Sequence, residues 1–332
     1  MKKLYIKLSL AFSLLSSVLS ASQAFSNEHC TTDWACQEPC SNNPWGVDLS
    51  IYSGYVYGKS KEIAVGAVDT ELTGYKISQI DWSIRNLWIM GGTVKKSFLG
   101  DTLQLSLDGW GRVGSGHVKQ VDRDYLNLAR PDMVTDISTS TNTHINDAYL
   151  IDLELCYDFY RLRLCDSALK IGGLLGYQYA QFGWRSYGGE FSYDRGQYVG
   201  NFTPGELVIA YKQKFSVPYF GLNALWKWDN LDVNLFGKYT WFAHVKSTDS
   251  HPLRGLTFKD NFSRQQYWSI GANTSWSFWD NYSLDFKYAF EKLEQGRGDT
   301  NQTGDGQSVS FNKSAKIGHF HNLFTLGLSA RF

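Results

Sequence analysis

His321-Asn322-Leu323-Phe324-Thr325-Leu326-Gly327-Leu328-Ser329-Ala330-Arg331-Phe332 alternates apolar and polar residues with period two and finishes on an aromatic. Such alternation is the signature of a strand with two different faces, not of a helix. The same pattern recurs upstream. Tyr282, Leu284, Phe286, Tyr288 and Phe290 oppose Ser283, Asp285, Lys287 and Glu291. Leu231, Val233, Leu235, Tyr239 and Trp241 oppose Asp232, Asn234 and Lys238, and Leu103, Leu105 and Leu107 oppose Gln104, Ser106 and Asp108. Ile80, Trp82, Ile84, Trp88, Met90 and Val94 are assigned to one face of a continuous run over 72–98.

Alternation alone fits a soluble sandwich or a membrane barrel. Three features favour the barrel. The strands are long, Trp and Tyr sit near strand ends as an interfacial girdle would, and connections alternate between short and long. Tight turns fall near 99–101, 229–230 and 279–281, and long loops near 118–143, 187–205 and 297–315. The reading is therefore all-β: a ten-stranded antiparallel transmembrane β-barrel with long extracellular loops. Its strands are expected near 47–63, 72–98, 102–117, 144–159, 163–186, 206–228, 231–246, 256–278, 282–296 and 316–332. An even count closes the ring and leaves no strand edge in lipid.

Composition agrees. The 332 residues include 12 Trp, 20 Tyr and 31 Gly, with 32 basic residues against 32 acidic ones. A balanced charge argues against a nucleic-acid partner. Lys2 and Lys3, the apolar run from Leu8 to Leu19, and Ser22-Gln23-Ala24 read as a signal peptide over 1–24, cleaved after Ala24. Residues 25–45 form a polar segment with Cys30, Cys36 and Cys40, and the barrel domain occupies 46–332. In an exported protein, a disulfide is expected among these three cysteines. A second is expected between Cys156 and Cys165, if their strands turn near Tyr160.

Two short motifs carry the chemistry. Val121-Asp122-Arg123-Asp124 follows the third expected strand, and Asp249-Ser250-His251 follows the seventh. Both fall beyond strand ends at the external rim, where a narrow barrel lets them face each other. A carboxylate two residues from an imidazole orients the ring, and two more carboxylates opposite it position a water. The same groups suit Ca²⁺ or Zn²⁺ less well, with one nitrogen ligand among them.

The sequence resembles the omptin family, outer-membrane proteases of Gram-negative bacteria, from about Gly46 to Phe332. The resemblance is carried by Gly58-Lys59-Ser60-Lys61-Glu62, Lys76-Ile77-Ser78-Gln79-Ile80-Asp81-Trp82, Val121-Asp122-Arg123-Asp124, Gly176-Tyr177-Gln178, Tyr211-Lys212-Gln213-Lys214-Phe215, Pro218-Tyr219-Phe220-Gly221-Leu222 and Asp249-Ser250-His251. It implies a rim groove facing outside the cell, with Asp122 and Asp124 positioning water, His251 as general base and Asp249 as its orienting partner. No metal and no cofactor is implied. Substrates are surface peptides or proteins, cut near basic residues. Glu62 falls at an acidic pocket position, while Asn142 and Ser247 stand where other members carry Asp. Glu62 paired with Lys59 or Lys61 is the competing reading of that residue. Lipopolysaccharide is implied as an activating lipid, held on the outer wall by Lys214 and Tyr177, with Arg264 substituting nearby for a charged pair replaced here by Tyr179 and Gln181. The alternative function is a surface adhesin or binding barrel that leaves the groove unused.

Overall fold

The computed structural model describes residues 46–332, apart from positions 69, 115 and 165. Eleven strands run in chain order: β1 (Val47–Val65), β2 (Lys76–Phe98), β3 (Leu103–Val113), β4 (Gly116–Asp124), β5 (Asp136–Leu164), β6 (Ser167–Tyr193), β7 (Tyr198–Trp228), β8 (Leu231–His251), β9 (Leu256–Trp279), β10 (Tyr282–Gly304) and β11 (Gln307–Arg331). β3 and β4 pair in succession with the same two neighbours, β2 and β5, so they form one wall segment interrupted near Gly114. The wall therefore has ten segments, as expected. β1 pairs with both β2 and β11, which closes an antiparallel ring. The signal peptide and the cysteines at 30, 36 and 40 lie outside the described residues.

One end of each strand falls close to where alternation places it, except at the β5–β6 hairpin, where β5 runs on to Leu164 and β6 begins at Ser167. At the other end the strands run on. β4 reaches Asp124, β8 reaches His251, and β10 and β11 meet at a turn after Gly304. The loops expected at 118–143, 187–205 and 297–315 are largely hairpin arms. Their backbones stay paired because ladder hydrogen bonds must still be satisfied. Their side chains lose strict alternation because no lipid constrains the outer face there. Both catalytic motifs therefore sit on the last residues of strands, not in the loops beyond them.

The expected single face of 72–98 is corrected as well. Ile80, Trp82 and Ile84 point inward and are buried, whereas Trp88 and Met90 are 56% and 60% exposed. Arg85 and Asn86 are both exposed, and the pairing with β1 shifts register there. This is a β-bulge, and one extra residue exchanges the two faces. β8 does the same at Trp241 and Phe242, consecutive residues that are both exposed, with a register shift between Thr240 and Ala243. β9 does so at Ser263 and Arg264, where Arg264 has φ 58°. β10 shifts between Leu293 and Gly296. Below these bulges apolar side chains face outward, and residues 231–241 give about the 9–11 residues a membrane strand needs. Above them apolar side chains face inward, as in a soluble barrel.

The two regimes give two interiors. The upper one is filled by stacked aromatics. Trp82 and Tyr211 lie 5.0 Å apart and nearly parallel, and Trp184 joins Tyr211 at 5.7 Å. The lower lumen is polar: Lys238 bridges Asp152 and Glu154 at 2.8 Å each, and Lys287 meets Asp108 at 3.0 Å. The aromatic layer is the floor on which the external groove rests.

The Cys156–Cys165 bridge is not formed. Cys156 is a buried free thiol whose Sγ lies 3.6 Å from Asp158 Oδ1, and it pairs across the ladder with Leu174. The hairpin closes at Leu164 and Ser167, not near Tyr160, so Cys156 lies eight residues before the last paired residue of β5. Alkylation of unfolded, unreduced protein is expected to label Cys156, and its recovery in a disulfide-linked peptide would contradict this pairing.

Candidate active site

Asp249 and His251 are consecutive inward positions at the end of β8, above its bulge. His251 Nε2 lies 2.7 Å from Asp249 Oδ2. Both are nearly inaccessible, at 8% and 3% exposure, and Phe258 packs edge-on against the imidazole at 5.7 Å. With Nε2 engaged by Asp249, Nδ1 is the nitrogen left for a substrate or a water. The chain turns immediately after His251 through Pro252–Arg254, closed by Gly255 at φ 63°. That turn needs a residue tolerant of left-handed backbone, and glycine supplies it.

Across the barrel, Asp122 and Asp124 are consecutive inward positions of β4. Ser78 of β2 stands opposite Asp124 in the ladder and donates its hydroxyl to Asp122 Oδ1 at 3.1 Å. Both carboxylates lie close enough to His251 for each to feel its charge. The structure thus brings the two motifs, which are 125 positions apart from Asp124 to Asp249, into one groove.

All these groups lie above the bulges, outside the membrane, and their electrostatics are strongly perturbed. Burial, then the Asp124 charge, pushes the Asp122 carboxyl up to about 7, with His251 pulling the other way. Burial likewise raises Asp124, opposed by the Ser78 hydrogen bond and Arg254. Burial disfavours the charged imidazole of His251, but Asp249, by charge and hydrogen bond, and then Asp122 outweigh it and raise its pKa. Near neutrality the aspartate pair and the histidine hold protons in competition, as acid–base machinery requires.

Glu62 is buried on the inner face of β1. The alternative pairing with Lys59 is excluded, because Lys59 binds Asp81 at 3.1 Å on the opposite face, where Arg123 joins Asp81 at 2.8 Å. Ser247, two residues before Asp249 and equally buried, donates to Asp260 Oδ2 at 2.7 Å. Asn142 is not brought to this group. It is exposed beside buried Thr143 and bonds His144 at 2.9 Å on the outer side of β5. Asp260 went unrecognised in the sequence, since it stands in a polar run of β9 with no motif around it. Arg254 was missed too, although it lies three residues after His251.

On the outer wall, Lys214 and Arg264 are exposed, and Lys214 pairs in the ladder with Lys246 and Gln181. Tyr177 is 47% exposed and sits four ladder positions nearer the membrane than Gln181.

The class that follows from fold and site is an enzyme of the outer membrane built on a closed β-barrel. Comparison with known proteins makes this specific. The chain belongs to the Omptin family, whose family profile matches residues 43–332. It is 33% identical over 297 residues to the plasminogen activator of Yersinia pestis, covering 87% of this chain and 91% of that one. It is 28% identical over 295 residues to the outer membrane protease OmpP of Escherichia coli, covering 87% and 91%. The crystal structure of the outer membrane protease OmpT from Escherichia coli superposes with a TM-score of 0.80 at 24% identity, over 90% of this chain and 99% of that one. The protein is thus an outer-membrane protease of this family.

Proposed function

We propose that the protein is an endopeptidase that cuts exposed peptides and proteins at the cell surface, next to basic residues, by direct attack of water. The observation that carries this reading is the buried His251–Asp249 pair, at 2.7 Å, facing Asp122 and Asp124. A water held by the aspartate pair gives its proton to His251 Nδ1 and attacks the scissile carbonyl. Asp249 fixes the ring and stabilises the imidazolium that forms. The basic preference rests on Glu62, with Ser247 beside it. Protein refolded with lipopolysaccharide is expected to cleave Arg- and Lys-containing peptides faster than neutral counterparts. No cleavage of any peptide in the panel would refute the protease mechanism.

Lipopolysaccharide is proposed as the activating lipid. Lys214, Lys246 and Arg264 offer cations for its phosphates at one level of the outer wall, with Tyr177 below them for its acyl region. Lys214→Ala is expected to raise the lipid concentration that gives half-maximal activity, without altering activity at saturation.

The proton inventory sets the pH dependence. A neutral His251 is required, and its pKa lies above the ordinary value of about 6.5. As pH falls through that raised value the base is protonated and the rate declines. The acid limb is therefore expected to have its midpoint above about 6.5. A profile flat down to pH 5 would contradict the assignment of His251 as base.

A further inference from the structure

Asp260 is absent from the two motifs, yet it is among the most deliberately held carboxylates of the groove. It is 4% exposed and accepts two short hydrogen bonds, from Ser247 of β8 and from Thr300 of β10, both at 2.7 Å. Its β9 position is the direct ladder partner of Ser247. It faces inward because the bulge at Ser263 and Arg264 exchanges the faces of β9. From the far side, the Glu62 carboxyl lies close enough to Asp260 for the two to feel each other's charge. Two carboxyl groups bond to each other only when one holds a proton. Glu62 Oε2 remains buried with no partner.

We propose that Asp260 is the second carboxylate of the substrate pocket, and that it shares one proton with Glu62 in the empty enzyme, which the cationic side chain of a substrate displaces. The inference rests on the preference for basic residues proposed above and assigns its second acid. Ser247 keeps the strand position but contributes only a hydroxyl. The charge stands one strand over, on the residue Ser247 holds.

The surroundings make the shared proton necessary. The charged and titratable groups facing the pair are Asp249 from β8, Asp122 from β4 and the Tyr211 phenol from β7, with His251 next to Asp249. β10 brings the Thr300 hydroxyl, and β11 brings Ile317, the ladder partner of Glu62. Two full charges side by side here, with a third on Asp249, are strongly disfavoured, and burial raises the pKa of both carboxyl groups, that of Glu62 the more. An arriving guanidinium or ammonium supplies the missing positive charge. The proton then leaves to solvent, both carboxylates ionise, and Glu62 Oε2 gains a donor.

The test uses matched peptides with arginine or its neutral isostere citrulline before the cut. The ratio of their kcat/KM values cancels the titration of His251, Asp122 and Asp124, which serve both peptides equally. In the native enzyme the ratio should climb with pH, by up to about tenfold per pH unit while the pair holds its proton, and then level off. Asp260→Asn should lower the plateau by about tenfold or more and flatten the climb. Moving the carboxylate across the ladder, in the double variant S247D/D260S, should restore both. Heat-modifiable migration of each variant confirms that the barrel is folded. A high ratio that is independent of pH and unchanged in Asp260→Asn would overturn the proposal and leave the basic preference standing. A ratio near one at every pH in the native enzyme would remove the preference itself, and the proposal with it.

Discussion

Replacing His251 with alanine is expected to lower kcat/KM by about 10²–10⁴-fold, the range attributed to a positioned general base, while the barrel still folds. His251 ends β8 ten residues above the exposed Trp241 of the girdle, so no membrane pairing depends on its side chain. Its removal leaves the Asp249 carboxylate, whose Oδ1 already lacks a partner, without its one short hydrogen bond. That costs about 1–3 kcal/mol, confined to the rim. Asp249→Asn keeps the shape but removes the charge that stabilises the imidazolium, so its loss should be large yet smaller than that of His251→Ala. Asp122→Asn and Asp124→Asn each disturb the water that His251 deprotonates. Combined with His251→Ala they should add little, because residues that act as a unit are non-additive. Kinetics on refolded variants, with heat-modifiable migration as the folding check, decide the matter. Wild-type activity in folded His251→Ala would remove the imidazole from the mechanism.

Much of this site was legible because chemistry-bearing residues cluster in short motifs. Asp122, Asp124, Asp249 and His251 stand two apart, the spacing that puts neighbours on one face of a strand. The ring closure was legible for a similar reason: lipid imposes strict alternation over each membrane segment, and lipid leaves no edge unpaired. The illegible parts share one cause. Above the membrane both faces of each strand meet protein or water, so alternation no longer reports orientation. Bulges then exchange the faces without a marker in composition. Trp82 and Trp88 were assigned to one face for that reason, and lie on opposite ones. Asp260 was overlooked because its partners, Ser247, Thr300 and Glu62, come from three other strands. Asn142 was assigned through the resemblance alone, and nothing in the residues around it reports that it stands exposed beside buried Thr143. The failed cysteine bridge has the same character. The strands stay paired as far as Leu164 and Ser167, so a hairpin read as ending near Tyr160 runs several residues further.

Deleting Phe242 is expected to leave cleavage largely intact, although it removes a residue from the strand that carries the catalytic pair. Below the bulge of β8 the odd-numbered residues Leu235 and Trp241 face outward. Above it the odd-numbered Ala243, Val245, Ser247, Asp249 and His251 are buried inside. That exchange depends on one extra residue, because the side-chain period of a strand is two. Removing Phe242 places Ala243 directly after the outward Trp241, so an unbroken alternation keeps Ala243, Val245, Ser247, Asp249 and His251 inward, and β8 then matches β7 residue for residue between the Phe220–Tyr239 and Ser216–His244 pairs. The membrane segment 231–241 keeps its length and pairing, so the barrel should still form and migrate as a heat-modifiable band. Phe242→Ala is the control, since it keeps the residue count and removes only an exposed ring. It should retain activity within about threefold, as surface substitutions away from special features usually cost under ~0.5 kcal/mol. Retained cleavage in both variants would show that the inward face of upper β8, and not the extra residue itself, is what aims the catalytic pair. A deletion variant that folds but no longer cleaves would mean that the upper strand had turned its catalytic residues outward, and this account of the bulge would fall.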